Sequence, residues 1–207
     1  MTHKSLVAAA ITFSGLITAQ TADSEFKFGA KAGYSLSTMK FFDNKLDSKS
    51  YFYAGLVGEQ PVSSKIGIQA ELLYTQIGGK QNVPFVQITD NDPQMINMEL
   101  DYQLTQIQVP ISMKYYFIPK FSASVGMNLA FNVSEKVRTE QIINGTDSQN
   151  YDGIKSLNLF PFLGAEYKLN DKFFVDARYN FNFIKINNGN LPTKIGFLQA
   201  GVGYVFN

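Results

Sequence analysis

Hydrophobic and polar residues alternate one by one along residues 172–185 of the chain. One parity contains Phe173, Val175, Ala177, Tyr179, Phe181 and Phe183, whereas the other contains Asp176, Arg178, Asn180 and Asn182. Because successive side chains of a strand point to opposite sides, this pattern predicts a strand with one apolar and one polar face.

The same period of two recurs along the chain and predicts eight strands. The alternation is regular at residues 26–37, 106–115 and 121–133, and less perfect at about 51–60, 65–78, 156–169 and 195–206. With residues 172–185 this makes eight segments. Each is long enough to cross a bilayer at a tilt, for which about 9 to 11 residues suffice.

Short and long connections alternate strictly between these segments. The short ones are "PVSS", "IPK" and "LND", and the long ones are residues 38–50, 79–100, 134–155 and 187–194. An up-and-down barrel gathers all short turns at one end and all long loops at the other. We therefore predict an all-β protein, an eight-stranded antiparallel up-and-down transmembrane β-barrel with short periplasmic turns and longer external loops.

The polar faces are expected to line the lumen and the apolar faces to contact lipid. Small or pairable groups such as Gly29, Gly33 and Asn128 suit a crowded lumen better than an open water surface. Aromatic residues gather near the strand ends, where the interfacial girdles of a membrane barrel lie. The alternative is a soluble lipocalin-like lipid carrier, in which the apolar faces point inward.

The first residues have the order of a secretory signal peptide. His3 and Lys4 precede an apolar run from Leu6 to Ile17, and small residues follow at Thr18 and Ala19. We predict a signal peptide at 1–19, a short segment at 20–25 and the barrel at 26–207, which places the mature protein in the outer membrane.

Composition argues against an enzyme. The chain has no cysteine, and its one histidine, His3, lies in the predicted signal peptide. Ser–His catalysis, cysteine nucleophiles and most zinc sites therefore lack side chains in the mature chain. Glu71 and Asp176 could act as a carboxylate pair, but ion pairing is the commoner role of such residues inside a barrel. We predict no enzymatic activity, no metal and no cofactor.

The charge balance excludes nucleic acid as a partner. The formal net charge is +1, and removal of Lys4 with the signal peptide leaves 17 basic and 17 acidic residues. This balance provides no basic face. The expected partners are outer-membrane lipid and a cell-envelope protein, with the barrel itself a monomer.

Several segments together resemble a known family. "FKFGAKAGYSLS", "LTQIQVPISMKYYF", "FLGAEYKLNDKFFVDARYNFNF" and the closing "GVGYVFN" are similar to the PorT-type outer-membrane β-barrel domain of Bacteroidetes. The resemblance spans essentially the whole mature chain and implies an eight-stranded outer-membrane barrel. Founding members of that family are associated with secretion and gliding machinery.

The lumen is the candidate site. Counting along the strands places Lys31, Glu71, Gln108, Asn128 and Arg178 inward at about mid-membrane height, with Glu71 and Arg178 meeting across the axis. A second layer nearer the periplasm is expected to contain Lys27, Glu59, Lys114, Glu166 and Asp176. A lumen filled in this way predicts a closed channel.

Two hypotheses for the function of a membrane barrel remain, because polar variety is concentrated in the external loops and the barrel has no reactive group of side chains. The leading one is a structural, adhesive or assembly and secretion-partner protein with recognition through the external loops. The other is a minor pore or transporter for small solutes.

Overall fold

The computed structural model describes residues 25–41, 44–89, 92–140, 147–150, 153–190 and 192–207. The predicted signal peptide at 1–19 lies outside the described residues. In the described part of the chain, no helix is long and apolar enough to span a membrane.

In the described ranges, ten strands form one antiparallel sheet. They are β1 (Lys27–Phe41), β2 (Asn44–Lys45), β3 (Lys49–Pro61), β4 (Ile66–Thr89), β5 (Asp92–Ile118), β6 (Phe121–Glu140), β7 (Asp147–Asn150), β8 (Leu157–Lys168), β9 (Phe173–Asn180) and β10 (Thr193–Val205). Eight of them pair in the order β1, β3, β4, β5, β6, β8, β9, β10, while β2 and β7 are short additions to β1 and β6.

Pairing between the first and last strands closes the barrel. β1 and β10 are in register from Gly29 opposite Val205 to Phe41 opposite Thr193. Side-chain hydrogen bonds extend this seam, because Asn207 accepts from the Phe28 backbone N–H at 2.9 Å and donates to the Phe26 carbonyl at 2.7 Å. The predicted eight-stranded antiparallel barrel is confirmed.

The apolar faces of the strands point away from the barrel axis. On β1, Tyr34 is 69% exposed, whereas Lys31 is 3% exposed. Aromatic pairs mark both ends of this outer surface, for example Phe173 with Tyr204 at 5.0 Å between ring centroids and Tyr34 with Phe52 at 6.1 Å. A lipocalin-type barrel has the opposite orientation, so the inverted assignment is wrong.

The long connection predicted at residues 79–100 is a β-hairpin instead. β4 and β5 pair without a register shift from Ile66 opposite Tyr115 to Thr89 opposite Asp92. β6 continues beside β5 as far as Glu140 opposite Glu99, and β7 adds to β6 at this end. The prediction failed here because the alternation of the barrel strands is lost beyond Gly79, although the pairing of β4 with β5 continues.

The predicted strand at 172–185 is shorter than expected. β9 ends at Asn180, although the Phe181 backbone N–H still donates to the Pro161 carbonyl at 2.8 Å. Alternation alone therefore overestimated this strand, because it reports two faces and not backbone pairing. Residues beyond Phe181 keep the pattern but do not join the ladder, although β8 and β10 extend past this point.

Candidate functional site

The barrel interior is filled by side chains in four successive groups between the short-turn end and the long-loop end. Strands β4, β5, β9 and β10 contribute inward residues to several of them, because every second residue of a strand faces the lumen. Two groups are ionic, one consists of amides and one is apolar.

The inner ionic layer, nearest the short turns, consists of Glu59, Lys114 and Glu166. The Lys114 Nζ donates to Glu59 Oε2 at 2.7 Å and to Glu166 Oε1 at 2.8 Å, and all three side chains are at least nine-tenths buried. Tyr116 donates its hydroxyl hydrogen to Glu59. One ammonium group thus compensates two carboxylates.

The central ionic layer consists of Lys31, Glu71, Asp176 and Arg178. Arg178 Nη2 donates to Glu71 Oε1 at 2.7 Å and contacts both carboxylate oxygens, although strands β4 and β9 lie on opposite sides of the ring. The Lys31 Nζ lies 2.7 Å from Asp176 Oδ2 and 3.3 Å from Glu71 Oε2. The two cations and two anions balance, which is what makes their burial tolerable.

Asp176 was expected in the layer nearer the periplasm, but it contacts Lys31 and Arg178. Counting residues from strand ends misjudges height in a barrel, because tilted strands are staggered against one another. Lys27 is only half-buried and makes no ion pair within 4.0 Å to any described residue.

The amide ring lies beyond the central ionic layer. It consists of Gln108, Asn128, Asn180 and Gln199, which hydrogen-bond in a closed cycle at 3.1 to 3.4 Å. Sequence reasoning placed Gln108 and Asn128 around the Glu71–Arg178 pair, but they bond to other amides. The amide that contacts Glu71 is Gln69, two residues earlier on the same face of β4.

The predicted lumen network did not include Gln69, Asn180 and Gln199, although all three have inward parity, and Asn180 was already placed on the polar face of its strand. Gln69 also accepts from the Lys114 Nζ at 2.9 Å and so links the two ionic layers. The available signal was parity alone, since an uncharged amide does not stand out in an alternating strand.

The apolar plug fills the lumen at the long-loop end. It consists of Met39, Leu46, Ile77, Leu104, Ala130, Ile154, Phe160, Ile186, Ile195 and Phe197. Three of these, Leu46, Ile154 and Ile186, come from connections rather than barrel strands and are at most 8% exposed. The outer half of the interior is therefore an apolar core, which the expectation of a polar lumen did not include.

The outer hairpin is the part of β4 and β5 between Lys80 and Asp101. Its pairing continues that of the barrel, so inward and outward parity can be followed directly. Val83, Met98 and Leu100 have inward parity and are half-buried, whereas Asn82 and Asn97 have outward parity and are exposed. At the base of the outer hairpin polarity is thus reversed relative to the barrel wall, where apolar residues face outward. Nearer its tip, Val86 and Met95 have outward parity and are exposed.

Ion pairs and an aromatic contact hold the base of the outer hairpin. Lys80 pairs with Glu99, and Asp101 pairs with Lys49 of β3. Tyr102 packs against Phe41 at 4.9 Å between ring centroids, and both rings contact the apolar plug. The apolar face of the outer hairpin is therefore continuous with the plug.

The described residues contain no group of three His, Cys, Asp or Glu residues able to hold a metal ion. The buried carboxylates are instead held by Lys31, Lys114 and Arg178. The charged groups of the interior are thus paired with one another, and the amides bond mainly to other amides.

Several solved structures of outer-membrane barrels have the same fold. Ail, the attachment invasion locus protein of Yersinia pestis, was solved in complex with the heparin analogue sucrose octasulfate. It is 16% identical, with a TM-score of 0.51 over 88% of this chain and 99% of Ail. Neisserial surface protein A is 15% identical, with a TM-score of 0.52 over 86% of this chain and 96% of that protein.

A major outer membrane protein of Thermus thermophilus is 10% identical, with a TM-score of 0.52 over 88% of this chain and 100% of that protein. No significant match was found among curated proteins. The sequence model of the outer membrane protein beta-barrel domain matches residues 18–188. With a lipid-facing apolar surface and a filled interior, the chain belongs to the outer membrane protein beta-barrel domain family.

Proposed function

We propose that this barrel is a non-enzymatic, non-conducting monomer that anchors a recognition surface outside the outer membrane. The observation that carries the proposal is the outer hairpin, in which a paired sheet continues beyond the barrel wall with its polarity reversed at the base. In outer-membrane barrels the long connections are extracellular, so the outer hairpin faces the surroundings of the cell.

The reversed polarity supports an aqueous location for the outer hairpin. A lipid-facing surface is apolar, whereas Lys80, Asn82 and Glu99 occupy the corresponding parity on the hairpin. The half-buried apolar face, with Val83, Met98 and Leu100, provides contact area for a macromolecule. Ail, an outer-membrane barrel of this fold, is named an attachment invasion locus protein and was solved with a heparin analogue. The proposal for this chain rests on its own outer hairpin.

The filled interior argues for an anchor over a pore. The ionic layers, the amide ring and the apolar plug occupy the lumen of an eight-stranded barrel, which has room only for side chains. Planar-bilayer recordings of the purified protein are expected to show no large steady currents. Such currents would favour the minor pore and would contradict this part of the proposal.

A shortened hairpin tests the recognition role. Val83 and Met98 are directly opposite each other in the outer hairpin. If residues 84–97 are replaced by Asn-Gly, these two residues become the closing pair of a two-residue turn. Cells that display the native protein are expected to adhere to a macromolecular surface and to yield specific crosslinks through the outer hairpin, and cells with the shortened variant are expected to lose both. Heparin-coated and protein-coated surfaces are suitable probes.

The matched control is Asn82→Ser, which leaves the hairpin length and its apolar face intact. Surface abundance and heat-modifiable gel mobility confirm that each variant is folded. Unchanged adhesion and crosslinking of the shortened variant would overturn the recognition role, as would an absence of both for the native protein.

We also propose that the chain is related to PorT-type barrels within its family. The segments at residues 26–37, 104–117 and 162–183 support this placement. Crosslinking in intact cells followed by mass spectrometry tests it, because a partner from a secretion or gliding apparatus is then expected.

A further inference from the structure

The short-turn end of the barrel opens into a cavity of about 340 Å³. Its polar lining consists of Lys27, Glu59, Gln69, Glu166, Lys168, Asn170, Asp171, Lys172 and Asn207. Lys27, Glu59 and Lys168 also line a second, more open cavity of about 850 Å³ beside the turn at residues 62–65. The two spaces form one vestibule, and in an outer-membrane barrel this end faces the periplasm.

The vestibule contains more cations than its carboxylates need. Glu59 and Glu166 are already bound by Lys114, whose Nζ lies 2.7 Å and 2.8 Å from them. Lys27 and Lys168 add two further ammonium groups, and neither has an ion pair within 4.0 Å among the described residues. Lys27, Lys168 and the adjoining Lys114 thus give three ammonium groups beside the carboxylates of Glu59 and Glu166. The other charged lining residues, two acids and two lysines, balance each other: Asp171, Glu25, Lys172 and Lys65.

Lys168 is held at the vestibule by an aromatic ring. Its Nζ lies 4.6 Å from the centroid of the Tyr116 ring, a cation–π contact that restricts the side chain. Lys168 is the last residue of β8, at the short-turn end of the barrel.

An apolar wall adjoins these cations. Phe28, Phe173, Phe174 and Val205 line the same cavity, and Phe28 and Phe173 also belong to the lipid-facing aromatic surface. A volume of about 340 Å³ exceeds that of an inorganic anion and is in the range of small-ligand pockets, about 300 to 1,000 Å³.

We propose that the vestibule binds the phosphate group of a glycerol phosphate-like ligand through Lys27 and Lys168. Phosphate suits the site because lysine binds it as a point charge, and because an excess of one cation favours an anionic ligand. The same chemistry is found in a soluble phosphorylated molecule and in a phospholipid headgroup of the inner leaflet. The proposal does not depend on the recognition role of the outer hairpin.

NMR titration of the isotope-labelled protein in phosphate-free octyl glucoside micelles tests the site. The probes are glycerol 3-phosphate, with glycerol as its control, and dihexanoyl phosphatidylglycerol, with dihexanoylglycerol as its control. Saturable shifts of the backbone amide signals of residues 27–29 and 168–172 are expected with a phosphate-bearing probe only. Saturation by glycerol 3-phosphate identifies a soluble ligand, and saturation by the phospholipid alone identifies a headgroup.

Charge-matched variants decide whether Lys27 and Lys168 are responsible. The double variant Lys27→Gln/Lys168→Gln is expected to weaken binding at least about tenfold, as removal of charge-assisted hydrogen bonds does. The control Lys40→Gln/Lys120→Gln removes two exposed lysines outside the vestibule and is expected to stay within about twofold. If the double variant does not fold, Lys27→Gln alone is expected to weaken binding at least about threefold.

Absence of saturable shifts with both phosphate probes would overturn the proposal. Equal weakening in the test and control variants would also overturn it, because the attraction would then be that of overall charge.

Discussion

Replacing Arg178 by methionine is expected to destabilise the barrel by about 3 kcal/mol, because the substitution leaves a buried carboxylate without its main cation. Arg178 is 4% exposed, and its Nη2 contacts both oxygens of Glu71. Methionine fills similar space against Phe162, whose ring centroid lies 5.2 Å from the guanidinium carbon, so the loss is mainly electrostatic.

The structure favours the lower end of the range of about 3 to 5 kcal/mol for breaking a buried pair. The Lys31 Nζ remains 3.3 Å from Glu71 Oε2, and Gln69 still donates to Glu71. In addition, Arg178 Nη1 has no hydrogen-bond partner among the described residues, so its removal relieves one unsatisfied donor.

Urea unfolding in micelles measures the effect, with far-UV circular dichroism and heat-modifiable gel mobility as independent readouts. The double variant Arg178→Met/Glu71→Gln is expected to cost less than Arg178→Met alone, because no uncompensated carboxylate is left. The control Lys80→Met breaks the exposed Lys80–Glu99 pair, whose side chains are 37% and 31% exposed, and is expected to cost less than about 1 kcal/mol. Equal costs for Arg178→Met and Lys80→Met, or a double variant that costs the sum of its two singles, would refute the reasoning.

Two further predictions use matched pairs of positions. Leu72 and Val86 are each 51% exposed, but of the two only Leu72 faces hydrocarbon. In lipid vesicles, Leu72→Arg is therefore expected to lower the free energy of unfolding by about 2 to 4 kcal/mol, and Val86→Arg by less than about 0.5 kcal/mol. Similar costs for both variants would mean that the outer hairpin does not leave the membrane. Gly33→Val is expected to reduce the folded yield and to cost about 3 kcal/mol or more, since a Cβ at Gly33 would lie 2.2 Å from the Ala200 carbonyl oxygen. Its neighbour Ala32, on the opposite face, is expected to accept valine within about 0.5 kcal/mol, and a tolerated Gly33→Val would show that the strands separate there more easily than inferred.

Much of the candidate site followed from parity in the sequence. Once residues 172–185 alternate, Arg178 must lie on the face opposite Tyr179, and the alternating short and long connections fix which strands are neighbours. Opposition of the third and seventh barrel strands brings Glu71 and Arg178 to the same lumen. These conclusions need only the two-residue period and the number of strands, and both can be read directly along the sequence.

Other features depend on the tertiary structure. Asp176 joins Lys31 and Arg178 because strand stagger sets the height of each residue, and stagger is a property of pairing between strands. The amide ring requires four strands to bring uncharged side chains within hydrogen-bond distance. The apolar plug includes Leu46, Ile154 and Ile186, which lie in connections that have no periodic pattern. The outer hairpin was not predicted for a related reason. Alternation identifies two faces, but only the pairing of β4 with β5 shows that the sheet continues beyond the barrel wall, with polar residues on the outward face at its base. The sequence by itself thus determined the faces and the order of the strands, whereas the contacts across the axis and at the barrel mouth were decided by the closed three-dimensional ring.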